Sequence, residues 1–348
     1  MARRNYRKSS KKIQPSVMKL NFIFGTQSGG AKSSAHIDIS QCVSLVNRRF
    51  YRQGLNWAVA GFKILSPVPT SPSNITSGQV SIHKLPNTWV MSNSWEKGFR
   101  AWQHMIKNAT DVQGLESIKG KFLDFKIYAN ADHHQAGFGD NLLPHSAGTL
   151  TTPIDVATPG QWQPAEIELP STTGSPGQSF AYELIAVGPN SPLAGDSGLF
   201  AKSLIGGYEV SRALPFATDP NVPDDASSQD ENWMLGLFND GTNQDGDVVQ
   251  MLETTGDRAP YPYEDDGTNT DTQYPGGANN MSSLEIHTQE YITQTTVGSA
   301  TRFPGGNFPC GLIEISTSGF VQKTDLVLEL TLVPGQHRGY LAESMTDM

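Results

Sequence analysis

Along most of this chain, apolar and polar residues alternate in short runs that stop at Gly, Pro, Asn or Asp clusters. That is the pattern of β-strands joined by turns. The candidate runs early in the chain are Val17 to Phe24, His36 to Val46 (a strand ending in a helical turn), Leu55 to Leu65 and Gln79 to Leu85. Lys121 to Asn130, Ala165 to Leu169, Phe180 to Val187, Gly198 to Ile205 and Tyr208 to Leu214 follow. Asn232 to Phe238, Val248 to Leu252, Ser283 to Thr293, Cys310 to Ser316 and Asp325 to Leu332 complete the series. In the last run Leu326, Leu328, Leu330 and Leu332 share a face. In Leu55 to Leu65, Trp57, Val59, Gly61 and Lys63 fall on one face and Ala58, Ala60, Phe62 and Ile64 on the other. Both faces are mostly apolar, which predicts a strand covered on both sides.

One stretch has a different period. Trp95, Phe99, Trp102, Met105 and Ile106 recur at helical spacing. Asn93 is placed to cap this helix, with Glu96 three residues on to close a capping box. Lys97, Arg100, His104 and Lys107 form a stripe nearly opposite the apolar one. The spacing predicts a helix with one face on the sheet and the other basic, either a solvated back or a surface for polyanion. Many short strands, one early amphipathic helix and long loops towards the C-terminal half predict an all-β fold, best fitted by a two-sheet jelly roll. Residues 16–333 form that domain, with long surface loops at 131–178 and 240–280. Residues 1–15 are a basic arm, and residues 334–348 are a polar, peripheral tail.

Charge sharpens the picture. The net charge of the 348-residue chain is −9. Residues 1–126 nevertheless hold 19 Lys and Arg against 5 Asp and Glu, and residues 127–348 hold 6 against 29. Such polarity predicts one surface for an anionic partner and another for solvent. Arg3, Arg4, Arg7, Lys8, Lys11 and Lys12 crowd the start, with no acidic residue and nothing to pack a core. That arm is expected to be disordered when free and to bind nucleic acid, direct nuclear import, or both. Arg48, Arg49 and Arg52 surround Phe50 and Tyr51, a mix that suits phosphate and base contact or an ordinary Arg–aromatic packing cluster.

Other chemistry is sparse. Asp132, His133, His134 and His145 match no standard zinc spacing and read as a surface loop. DGTNQDGD and YEDDGTNTD look like calcium loops, but Gly241 and Leu252 stand where an EF-hand needs its first and last ligands. No cofactor and no metal is expected. Neither a Ser-His-Asp signature nor a P-loop is found, so the chain does not read as an enzyme. Cys42 and Cys310 read as buried free thiols. There is no apolar run of transmembrane length and no apolar core of a secretory signal at the start.

Three segments carry a resemblance. MARRNYRKSSKK, NRRFYRQGLNWAVAGFKIL and LPNTWVMSNSWEKGFRAWQHM resemble coat proteins of small circular single-stranded DNA viruses that encode a replication initiator, the environmental and gut-associated members in particular. The likeness is closest over residues 1–130 and rests on strand pattern beyond them. It implies a jelly-roll subunit that assembles with itself, in sixty copies or a multiple, into an icosahedral shell around a single-stranded genome, with DNA as the expected cargo. It implies a virion protein with the arm inside and the acidic loops outside, a host receptor of unspecified kind, assembly in the host nucleus, and no membrane. The arm is shorter than in many such proteins. Sixty arms would supply about 360 positive charges, against about 1,044 phosphates in a genome encoding this chain alone. Arg48, Arg49, Arg52, Lys97, Arg100 and Lys107 are the candidates to add charge on the inner wall. The alternative reading is a β-sandwich glycan-binding or attachment protein with ligand loops in 131–178 or 240–280, which leaves the basic arm without a role.

Overall fold

The computed structural model describes residues 16–66, 77–114, 123–149, 152–170, 179–188, 194–213, 234, 284–294 and 299–348. The regular structure is mostly β-strands in antiparallel sheets, with few helices, as in an all-β sandwich. The first sheet is built from β1 (Lys19–Gly25), β3 (Leu55–Leu65), β11 (Ala300–Phe308) and β13 (Asp325–Leu332), in the order β1-β13-β3-β11. The second contains β2 (Ser33–Asp38), β4 (Ser77–Lys84), β10 (Glu285–Thr293) and β12 (Leu312–Ser318), in the order β10-β4-β12-β2. The two inner faces share one core. Phe22, Phe62, Ile64, Leu328 and Leu330 from the first sheet meet Ile37, Val80, Ile82, Ile313 and Ile315 from the second. Residues spaced by two along each strand supply that face, as the alternation predicts.

The central strand β3 departs from its predicted two-sided burial. Neighbouring residues Thr331 and Leu332 of β13 pair with Gly61 and Val59, so Ala60 is an extra residue in a bulge. A bulge shifts the side-chain alternation by one. Trp57, Val59, Phe62 and Ile64 therefore all point into the same core, and Ala60 is exposed. On the other side β11 keeps step, with Gly305 opposite Ala60. A Cβ on Gly305 would stand 2.1 Å from the Val59 carbonyl oxygen, so only glycine fits there. Pro304 is tolerated because β11 is the end strand of its sheet.

The run His36 to Val46 splits. Asp38 ends β2 and caps α1 (Ile39–Asn47), its Oδ1 accepting from the backbone N–H groups of Ser40 and Gln41. Capping at that point makes the expected closing helical turn a helix of nine residues that takes up most of the run.

A second core lies beside the sandwich. It holds α2 (Trp89–Gln113), α4 (Leu204–Ala213) and a small sheet of β7 (Glu166–Pro170), β8 (Ser179–Ile185) and β9 (Phe200–Ser203). The amphipathic helix thus packs on this small sheet and on α4. Trp95, Trp102, Phe125, Ile167, Leu184, Leu204 and Ile205 fill the space between them. Thr88 caps α2, accepting from the Met91 N–H, so the helix starts ahead of the predicted capping box. Glu96 instead pairs with Arg100, and Asn93 donates to the Tyr208 hydroxyl at 3.4 Å. The strand expected over Tyr208 to Leu214 is replaced by α4, whose first turn is tied by the Ser203 hydroxyl accepting from the Gly206 N–H. Gly98 lets α4 approach α2: a Cβ there would sit 2.4 Å from Leu204 Cδ2.

Two regions expected at the periphery are structural. Within 131–178 lie α3 (Ala131–Ala136), β5 (His145–Thr149) paired with β6 (Thr152–Val156), and β7. Of the predicted strand Lys121 to Asn130, residues 123–130 are described, and among the described residues they form one bridge, Tyr128 to Ile185, with flanking backbone bonds from Ala186 and Val187. The tail carries β14 (Pro334–Gly335), β15 (Gly339–Tyr340) and β16 (Ala342–Ser344), the last paired with the start of β3. Tyr340 and Met345 are fully buried. Polar composition misled here, because two buried anchors suffice to bind a short polar segment down. Residues 240–280, the Val248 to Leu252 run and the arm lie outside the described residues. Of Asn232 to Phe238 only Met234 is described, and it is buried in the second core.

Candidate nucleic-acid interface

The described chain begins beside α1. The backbone N–H of Val17 donates to Asn47 Oδ1 at 3.1 Å, and the Ser16 hydroxyl donates to the Arg338 carbonyl at 2.9 Å. Tyr340 donates its hydroxyl proton to the Val17 carbonyl at 2.6 Å and accepts from Asn47 Nδ2 at 2.8 Å. The root of the basic arm is therefore fixed between the end of α1 and the tail.

Arg48, Arg49 and Arg52 follow directly. Arg48 is the C-cap of α1, exposed, in the left-handed conformation at φ 52°. Arg49 is half-buried, and its Nη1 has no hydrogen-bond partner among the described residues. Arg52 is exposed. Between them Tyr51 is buried against Trp57 and Tyr340, with ring centroids 6.0 and 5.6 Å away. The guanidinium that stacks on Tyr51 comes from Arg338, 5.9 Å from the ring centroid, which also donates to the Phe50 carbonyl. Tyr51 thus belongs to a packing cluster, while Arg48 and Arg52 stay exposed beside the arm root. Arg338 was not legible as a member, because only the folded tail brings it there.

The stripe on α2 is less uniform than its spacing predicts. Lys97 lies over the Tyr208 ring at 5.8 Å, so α4 covers part of it. Arg100 pairs with Glu96 one turn earlier. His104 Nε2 lies 3.0 Å from Asn108 Nδ2. Lys107 is exposed. The predicted purely basic face is corrected to a mixed one, in which an i,i+4 acid offsets one cation. Arg3, Arg4, Arg7, Lys8, Lys11 and Lys12 lie outside the described residues.

Two of the histidines expected on a surface loop, His133 and His134, are core residues, and His145 is half-buried in β5. His133 and His134 are 0 % exposed. They sit on α3, which covers the outer face of the second sheet, with the His133 ring stacked on His36 at 4.4 Å. His133 Nδ1 accepts from the Ala129 N–H, and its Nε2 lies 2.8 Å from Asn141 Oδ1. His134 Nε2 lies 2.8 Å from Glu183 Oε2. Glu314 accepts from Asn130 Nδ2 at 2.8 Å, with His36 Nε2 3.6 Å away. Among the described residues no group of three His, Cys, Asp or Glu side chains is placed to hold a metal ion. Cys42 and Cys310 are free and buried, and burial raises both thiols well above their ordinary pKa.

This layer sets a pH dependence. Burial, reinforced by the neighbouring His36, holds His133 well below its ordinary pKa of 6.5, against the opposing bond to Asn141. The unfolded chain takes up that proton near 6.5 and the folded chain does not. The His133 contribution to stability is therefore complete above 6.5 and lost as the pH falls below it. Asp38 acts in the opposite sense. Burial pushes it up to about 6, so its contribution is present below its ordinary 3.8 and lost as the pH rises through 6. Comparing urea midpoints of the wild type and His133→Gln from pH 7.5 to 5 cancels Asp38. The wild type is expected to lose stability relative to the variant as the pH falls; parallel curves would refute the assignment.

Comparison with protein-family models, curated proteins and solved structures finds no match. Among the described residues no helix is long and apolar enough to cross a membrane.

Proposed function

We propose that the chain is a viral capsid subunit with a jelly-roll fold that assembles with copies of itself and packages single-stranded nucleic acid, DNA as the expected cargo. The observation that supports this most is the strand order. In each sheet, β1-β13-β3-β11 and β2-β12-β4-β10, early strands alternate with late ones. Such interleaving along the four-strand paths of two antiparallel sheets is what two Greek keys wound into a jelly roll require. The placement of the arm root supports the packaging half of the reading. Ser16 and Val17, which follow the six basic residues of the arm in sequence, are held by Arg338 and by Asn47, next in the chain to Arg48 and Arg49. A surface of that kind suits phosphate binding by counterion release.

Sedimentation of the purified full-length chain tests the reading. Sixty chains of 37.7 kDa make a particle of about 2.3 MDa before cargo. A species of that size or a multiple, carrying ultraviolet absorbance from nucleic acid, is the expected result. A boundary at monomer or dimer mass alone would count against it.

A further inference from the structure

Between the end of α1, the tail and α2 lies a cleft of about 630 Å³. Its size falls within the roughly 300–1,000 Å³ of small-ligand pockets. The walls are aromatic, with Phe50, Trp95, Phe99 and Phe125 among the lining residues. Three of these rings hold one another in place. Trp95 stacks on Phe99 at 5.1 Å, and Phe125 meets Trp95 edge-on at 5.7 Å. Arg52 and Arg338 line the same cleft, the Arg338 guanidinium held there by the Tyr51 ring and the Phe50 carbonyl. The acid on the wall, Asp124, is 3.0 Å from Lys126 Nζ, which offsets its charge. The Trp95 indole is 95 % buried, yet its Nε1 has no hydrogen-bond partner among the described residues.

We propose that this cleft is a nucleotide site that takes one base of a single strand against its aromatic wall while Arg52 and Arg338 hold the adjoining phosphates. The inference rests on the packaging reading above and locates a base contact within it. The chemistry matches the general design of single-strand binders, in which flat rings stack bases and cations follow the backbone. Position supports it as well. Arg338 lines the cleft and accepts through its carbonyl from Ser16, four residues after Lys12. A strand gathered by the arm is delivered to the mouth of the cleft. Because the contacts are stacking and charge, the site is tolerant of sequence.

The test compares two probes on the full-length protein, a fluorescein-labelled 15-mer of dT and an abasic strand of the same length and charge. The wild type is expected to bind dT about fivefold tighter or more, the effect of stacking one base. Phe50→Ala, which keeps the backbone carbonyl that Arg338 uses, is expected to erase that ratio and leave abasic binding unchanged. Arg52→Ala is expected to weaken both probes and reduce the log-log salt slope by about 0.7. Tight and equal binding of both probes by the wild type would overturn the cleft and leave the packaging reading standing. A ratio that Phe50→Ala does not change would put the base contact elsewhere, with Tyr6 of the arm as the candidate, and would also overturn it. Binding of neither probe would remove the packaging reading and the cleft together.

Discussion

Deleting residues 1–12 is expected to leave the sandwich folded and to remove most nucleic-acid binding. Among the described residues, Ser16 and Val17 fix the start of the fold through Arg338, Asn47 and Tyr340, and all of these contacts survive the deletion. Binding should suffer for a countable reason. Six charges neutralising phosphates of a single strand give a log-log salt slope of about −4, at roughly 0.7 per charge. With the arm present, a fourfold rise in salt should weaken binding by about 250-fold. Without it, the residual slope should come from Arg48, Arg49, Arg52 and Arg338. Titrating both forms with labelled single strands at two salt concentrations reads the difference. A truncated protein that binds and packages like the full chain would show that the arm has no such role.

The second large effect is expected at the tail. Tyr340→Ala should destabilise the fold by about 3–5 kcal/mol, the cost of emptying a site filled by a large aromatic ring. Its ring sits edge-on to Tyr51 and Trp57, at 5.6 and 5.7 Å, in the main core. Its hydroxyl joins Asn47 to the Val17 carbonyl, so the loss also frees the arm root. A domain that is stable by only about 5–15 kcal/mol is sensitive to a change of this size. Tyr340→Phe separates the two parts. It keeps the ring and leaves the Val17 carbonyl without its partner, while Asn47 Nδ2 still donates to the Val43 carbonyl, which should cost about 1–3 kcal/mol. Urea denaturation followed by tryptophan fluorescence measures both variants. A loss below about 1 kcal/mol in Tyr340→Ala would mean that the tail is peripheral, as its polar composition suggests.

The strands were legible where one face alone decides burial. Asp325–Leu332 and Leu55–Leu65 have the predicted bounds, because strict alternation or a long apolar run leaves little choice. The faces of β3 were not legible. A bulge at Ala60 depends on what Gly305 allows across the sheet, and local pattern carries no trace of that. The strand β11 escaped notice for the same reason, since Pro304, Gly305 and Gly306 read as a turn and only its place at the sheet edge makes them tolerable. The helix α1, expected only as a closing turn, had a stronger signal than that. Asp38 precedes Ile39, Cys42, Val43 and Val46, which is a cap followed by helical spacing.

At the candidate site, charge alone singled out Arg48, Arg49 and Arg52, of which the structure leaves Arg48 and Arg52 exposed, while the arm lies outside the described residues. Arg338 and His337 were not, because the tail folds back over nearly the whole length of the chain to reach Phe50 and Trp57. His133 and His134 looked exposed because polar residues surround them in sequence. Their burial depends on partners as distant as Asn141 and Glu183. Such long-range pairing is what a single sequence conceals most completely.

The central claim is that copies of this chain close into a shell around nucleic acid. Negative-stain microscopy of the purified recombinant protein, with nuclease-protected nucleic acid assayed on the same sample, tests it most directly. The account predicts uniform closed particles with cargo that resists nuclease until the particles are opened. A clean monomer or small oligomer, over a range of salt and with single-stranded DNA added, would contradict it.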